Sequence, residues 1–133
     1  MPSNWVLRSE QNLLNAHNSI ASKIKFIKRI FIPKGKMMKI FDNINTLHNN
    51  NDYDGIENIY NILTKNLPVR HSPRFHKYQE LINYTAFLFD YRNTNDYNER
   101  IMLAHYLIQK LNVSHELGYL IKNRVCELVK SVV

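Results

Sequence analysis

The sequence predicts an all-α protein, a compact bundle or short solenoid-like array of about six helices paired as αα-hairpins. Three observations predict it. Apolar residues recur at three- and four-residue spacing in six segments, turn or cap signals separate these segments, and no segment shows the alternation of a strand. A length of 133 residues, 44% hydrophobic and 22% charged, is typical of one globular domain, here predicted to span residues 1–133.

The first predicted helix begins at Ser9, with Ser3 as an alternative start, and ends near Phe31. Pro33 disfavours helical geometry at the residue before it, so residues 32–35 are predicted as a connector. The apolar stripe of this helix consists of Leu13, His17, Ile20, Ile24, Ile27 and Phe31.

The second helix is predicted over residues 36–48, and the third from an Asp52 N-cap to about Asn66, ended by Pro68. Their stripes consist of Met37, Ile40, Phe41, Ile44 and Leu47, and of Ile56, Ile59, Tyr60 and Leu63. The pair therefore forms one predicted hairpin around the turn 48–51.

The fourth helix is predicted to start at Ser72-Pro73, a cap followed by a first-turn proline, and to run to Tyr91. Apolar residues cover so much of its circumference that we expect it to be the central helix. Asp96 and Ser114 are the predicted N-caps of the fifth and sixth helices, which reach Leu111 and the C-terminal region.

The segment 49–63 recurs at 93–108, where Asn-Asp-Tyr again precedes an apolar run, offset by 44 or 45 residues. Ile40, Ile44, Leu47, Ile56, Tyr60, Leu63 and Pro68 have the spacing of the tetratricopeptide signature, with Asn51-Asp52-Tyr53 as the turn. Residues 40–68 therefore resemble a tetratricopeptide hairpin. Ile44 and Ile56 stand where that family has small residues, and its repeat is only about 34 residues long. A longer αα-hairpin repeat of tetratricopeptide or HEAT type, or an ordinary antiparallel helix pair, explains the pattern.

The positive charge is concentrated near the start of the chain. The formal net charge is +7, of which residues 1–42 carry +6, eight bases against two acids. Between Glu10 and Asp42 there is no acid. The predicted site residues, which we call the lysine-rich segment, are Lys23, Lys25, Lys28, Arg29, Lys34, Lys36 and Lys39.

Such an acid-free field attracts an acidic protein surface or a nucleic acid. The alternative is a solvated face of a core helix. Contact with anionic lipid would require the apolar stripe to be absent from the core. No apolar run reaches the roughly 18 residues of a membrane span, so a membrane role is not expected.

A second binding prediction concerns residues 107–125, which resemble a helix-turn-helix with its turn at 111–114. The residues that would face DNA are His115, Glu116, Tyr119, Lys122 and Asn123. Gly118, early in the recognition helix, and the scarcity of nearby bases depart from the pattern. A capped αα-turn accounts for the same residues.

No catalytic residues, metal ligands or cofactors are predicted. The six histidines lack the i, i+4 spacing of a helical zinc site, and no nucleophile motif or glycine-rich phosphate loop is present. Cys126 is expected to be a buried, inert thiol. His71 and His76, with Arg70 and Arg74, form a loop that is expected to be solvated, with anion binding as the alternative.

The composition adds one resemblance. Eighteen asparagines, with many Lys, Ile and Tyr, resemble the small helical proteins of baculovirus-type insect DNA viruses. That resemblance implies a nuclear or virion-assembly role, whereas the single cysteine and the polar N-terminus predict only an intracellular protein. The sequence thus predicts a non-enzymatic interaction protein with a basic surface, or alternatively a DNA-binding protein that uses its C-terminal helices.

Overall fold

A computed structural model describes residues 34–130. They form five helices: α1 Lys34–Asn49, α2 Tyr53–Lys65, α3 Phe75–Arg92, α4 Tyr97–Ile108 and α5 Glu116–Lys130. No strand occurs in this part of the chain. The all-α prediction is therefore confirmed for these residues, while the predicted first helix lies outside them.

Two predicted aspartate caps begin helices. The Asp52 carboxylate accepts a hydrogen bond from the Gly55 N–H at 2.9 Å, and the Asp96 carboxylate accepts one from the Asn98 N–H at 3.0 Å. Asn51, before the first of these caps, has a φ of 56°, a left-handed conformation that asparagine tolerates better than most residues. Local side-chain chemistry thus determines where α2 and α4 start.

Other helix boundaries differ from the predictions. Residues 34 and 35, predicted as connector, belong to α1. α3 begins at Phe75, because Ser72 and Pro73 form a turn in which the Phe75 N–H donates to the Ser72 carbonyl at 3.1 Å. α4 ends at Ile108, three residues before Leu111. The Ser72 hydroxyl accepts the Arg74 N–H within this turn, so it does not cap the first turn of α3.

α3 is the central helix of the described residues, as predicted. It contacts each of the other four helices, and every residue from Glu80 to Tyr91 is buried. α1 also contacts α5, which closes the helices around α3. In a solenoid each hairpin contacts only its neighbours, so the described helices form a bundle rather than an open array.

The two Asn-Asp-Tyr turns have similar caps but different surroundings. Tyr53, at the start of α2, contacts α3. Its ring centroid lies 5.8 Å from that of Phe89 and 4.1 Å from the Arg92 guanidinium. Tyr97, its counterpart at the start of α4, is 43% exposed. The repeated sequence therefore forms two helix starts. The tyrosine of the first packs against α3, whereas the tyrosine of the second is exposed.

Candidate anion-binding surfaces

The lysine-rich segment is only partly within the described residues. Lys23, Lys25, Lys28 and Arg29 lie outside them, and Lys34 is the first residue of α1. Lys36 and Lys39 are exposed. Within the described residues, Lys36 and Lys39 are therefore the two side chains of the lysine-rich segment whose exposure is known.

Lys36 and Lys39 point away from the core because α1 is amphipathic. Met37, Phe41 and Ile44 are buried at 5% exposure or less and hold one side of the helix against the bundle. Residues three apart share a helix face, so both ammonium groups project from the other side. Neither has a salt-bridge partner in the described part of the chain, and the first turn of α1 contains no acid.

A second group of bases lies where α2 connects to α3. Arg70, His71 and His76 are exposed and Lys77 is half-buried; we call these four residues the basic corner. No acid occurs between Glu57 and Glu80. Most of these residues were identified from the sequence, where the prediction was a solvated loop, with anion binding as the alternative.

The connection that carries the basic corner is an ordered turn. The Ser72 N–H donates to the Val69 carbonyl at 2.9 Å, and the Arg74 N–H donates to the Ser72 hydroxyl at 3.3 Å. Leu67 is fully buried on one side and Phe75 is 5% exposed on the other. The bases are therefore displayed from a turn anchored in the core at both ends.

Glu80, one turn into α3 from the basic corner, is a buried acid that sequence reasoning missed. It is 3% exposed, and its Oε1 accepts a hydrogen bond from the Asn112 N–H at 2.7 Å. Burial raises the pKa of Glu80 to about 7, although the Asn112 hydrogen bond and the positive charge of Lys77 oppose that rise. The signal in the sequence was its position directly before Leu81 and Ile82, in the helix predicted to be apolar around much of its circumference.

His115 joins this group from the connection between α4 and α5. Its Nε2 lies 3.5 Å from the Glu80 Oε1, and its Nδ1 accepts a hydrogen bond from the Gly118 N–H at 3.3 Å. Burial lowers the pKa of His115, as do the charges of Lys77 and His76. The basic corner therefore lies beside the start of α5.

His115, not Ser114, is thus the side chain that caps α5. The Ser114 N–H and hydroxyl both donate to the Asn112 Oδ1, the first at 3.1 Å and the second at 2.5 Å. Serine is held within the connection, which leaves histidine to accept from the first turn of the helix. The predicted Ser114 cap is wrong for this reason.

The predicted DNA-reading residues do not form one cationic face. His115 is turned toward Glu80, Lys122 is half-buried, and the exposed members are Glu116, Tyr119 and Asn123. The connection between α4 and α5 spans seven residues, 109–115, whereas a helix-turn-helix has a turn of about three or four.

Gly118, the departure noted in the sequence, has a packing reason. A Cβ on Gly118 would overlap the backbone carbonyl of Asn112. The glycine therefore lets the connection pass directly over the first turn of α5.

Arg124 is another residue whose role the sequence did not indicate. Its guanidinium donates to the Asn49 Oδ1 at 2.7 Å and ties α5 to the C-terminal end of α1. Nearby, the Tyr84 hydroxyl donates to the Asn45 Oδ1 at 2.5 Å. Arg124 is therefore half-buried and bonded to α1, so its guanidinium is less available to an external partner than the sequence suggests.

Cys126 is half-buried, not fully buried as expected. It lines an open apolar groove of about 190 Å³ between α4 and α5, together with His105 and Lys130. Within residues 34–130, no group of three or more His, Cys, Asp or Glu could hold a metal ion. None of the described helices is long and apolar enough to cross a membrane.

Comparison with protein-family models, with curated proteins and with solved structures finds no match for this chain. The resemblances to tetratricopeptide hairpins and to baculovirus-type proteins therefore stay predictions.

Proposed function

We propose that the protein is a non-enzymatic interaction protein that binds an acidic partner, a protein surface or a nucleic acid, through the lysine-rich segment. One observation carries the proposal. Lys36 and Lys39 are exposed on the same face of α1 and have no salt-bridge partner among the described residues. Exposed helix faces commonly intersperse both signs of charge, so an uncompensated pair within a run free of acid favours an external anion.

The alternative is a DNA-binding protein that uses the C-terminal helices. In its favour, Tyr119 and Asn123 are exposed on α5. Against it, the acids Glu116 and Glu127 offset two of the three bases of α5, and the third base, Arg124, is bonded to Asn49. A helix with so small a net positive charge gains little from phosphate contacts, so the lysine-rich segment is the stronger candidate.

Binding of a labelled short duplex DNA and of labelled poly-glutamate, measured by fluorescence anisotropy at about 50 and 200 mM salt, tests the proposal. We expect Lys36→Glu/Lys39→Glu and Lys28→Glu/Arg29→Glu to weaken binding to at least one probe. Lys122→Glu/Lys130→Glu makes the same change in charge on α5 and serves as the matched control.

Each outcome has a meaning. Failure of the wild-type protein to bind either probe at the lower salt concentration would overturn the proposal. Loss of DNA binding in the control pair and in Lys122→Ala/Asn123→Ala, with the α1 pair unaffected, would instead support the C-terminal alternative. Circular dichroism of every variant shows whether the helices remain folded.

A further inference from the structure

The basic corner carries a positive charge, and one of its members, Lys77, lies close enough to Glu80 for the two charges to interact. Arg70 and Lys77 have no salt-bridge partner among these residues. The next acid along the chain, Glu80, is buried and turned toward Asn112 and His115. Two of the four side chains, Arg70 and His71, are exposed and make no hydrogen bond or ion pair within the described residues. The corner is therefore free to accept an anion.

The surface chemistry of the basic corner distinguishes between kinds of anionic partner. The exposed large apolar residues of the described chain are Ile62, Tyr97, Met102, Val113 and Tyr119, and none belongs to the corner. Protein interfaces centre on buried aromatic and aliphatic anchors, and membrane-surface segments insert apolar side chains. A corner of basic side chains without such anchors fits neither partner well.

Phosphate groups match what the basic corner does offer. A guanidinium presents a planar set of donors that pairs with phosphate oxygens, an ammonium adds a mobile charge, and imidazoles supply further N–H donors. Contacts of this kind bind nucleic acid by its backbone and carry no base sequence. We propose that the basic corner binds the phosphodiester backbone of a nucleic acid, independently of base sequence.

This inference does not depend on the proposed function, because the basic corner and the lysine-rich segment are separate in sequence and are tested by different variants. The change for the corner is Arg70→Glu/His71→Glu, which alters two exposed side chains. The matched control is Lys130→Glu/His105→Glu, an exposed base and an exposed histidine on α5 and α4. Both pairs change the same classes of residue.

The experiment measures the affinity for labelled short duplex DNAs of two unrelated sequences across a range of salt concentrations. We expect the corner pair to weaken binding to both duplexes at least about tenfold at 50 mM salt, because phosphate contacts are lost and repelling charges are added. Arg70→Ala should lower the slope of log affinity against log salt by about 0.9, the value for one phosphate contact. The control pair should leave affinity within about twofold.

Three results would overturn the inference. They are unchanged DNA affinity in the corner pair, equal losses in the corner and control pairs, and a corner effect confined to poly-glutamate or to vesicles containing anionic lipid. If Lys36→Glu/Lys39→Glu abolishes DNA binding while the corner pair does not, the inference fails and the proposed function stands. The reverse result leaves the corner as the nucleic-acid surface, and poly-glutamate binding then decides whether the lysine-rich segment binds an acidic protein.

Discussion

The His115 imidazole and the Glu80 carboxylate lie 3.5 Å apart, Nε2 to Oε1, although 35 positions separate them in the chain. The contact joins the central helix to the start of α5. Glu80 also accepts the Asn112 N–H, and His115 caps α5 through the Gly118 N–H. One buried acid thus organises the whole connection between α4 and α5.

Glu80→Gln should change how stability depends on pH. In the unfolded chain Glu80 has the usual glutamate pKa of 4.5, whereas burial in the folded protein raises the pKa of Glu80 to about 7. Across that interval the folded state holds the extra proton, so the free energy of unfolding falls as pH rises, by up to about 3 kcal/mol. Glutamine keeps an acceptor for the Asn112 N–H and removes the titration. Urea unfolding at pH 5 and pH 8 measures the difference.

His115 changes the free energy of unfolding with pH in the opposite direction. Its pKa is lowered from 6.5, so the unfolded chain holds more protons just below that pH and stability rises with pH there. In the wild-type protein His115 therefore partly offsets the fall in the free energy of unfolding with pH. In Glu80→Gln the free energy of unfolding should stay constant or rise with pH. Parallel profiles for the two proteins would contradict this account of Glu80.

Gly118→Ala should destabilise the protein. The new Cβ would overlap the Asn112 backbone, which cannot rotate away as a side chain can. We expect a loss of about 1–3 kcal/mol in the free energy of unfolding.

Gly55→Ala is the control, since a Cβ there meets the Leu47 and Asp52 side chains, at 2.8 and 3.0 Å. Those side chains can shift, and alanine favours a helix, so little net change is expected. Thermal unfolding of the two variants would refute the packing role of Gly118 if their losses were equal.

Asp52→Ala should cost about 1 kcal/mol, the usual value for removal of an N-cap. Its carboxylate accepts the Gly55 N–H, and alanine leaves that donor unsatisfied. Asp54→Ala, in the first turn of the same helix, removes an acid without removing a cap and should cost less. Chemical denaturation measures both, and equal costs would show that charge near the helix end, not capping, is what Asp52 supplies.

The paired tyrosines should differ in importance. Tyr53 packs on Phe89 and lies under the Arg92 guanidinium, so Tyr53→Ala should cost about 2–3 kcal/mol. Tyr97 is 43% exposed, and Tyr97→Ala should cost less than about 1 kcal/mol. A comparison of the two melting temperatures tests this, and a larger loss at Tyr97 would show that the second turn carries unseen packing.

Features that depend on near neighbours were predictable from the sequence. The Asp52 and Asp96 caps lie within three residues of the groups they bond, and the apolar width of α3 indicated its central position. For the candidate surfaces, the sequence identified the bases themselves because runs without acid are visible in the chain. Exposure of Lys36 and Lys39 followed from the stripe on the opposite face of α1.

Features that depend on distant partners were not predictable. The Arg124 bond to Asn49 spans 75 positions, and the Glu80 bond to Asn112 spans 32. No local pattern distinguishes a base that ties two helices together from one that faces solvent. The cap of α5 was assigned to Ser114 for the same reason. The contact between Glu80 and His115 and the bond of Ser114 to Asn112 form only after folding.

The closure of α1 on α5 has a consequence for how the bundle comes apart. A stack of hairpins can fray from its ends, one unit at a time, with the remainder intact. Here the first and last described helices touch each other as well as α3, so removal of any helix exposes apolar surface on at least two others. These five helices should therefore unfold in one concerted step, and amide hydrogens along α3 should exchange only when all five separate.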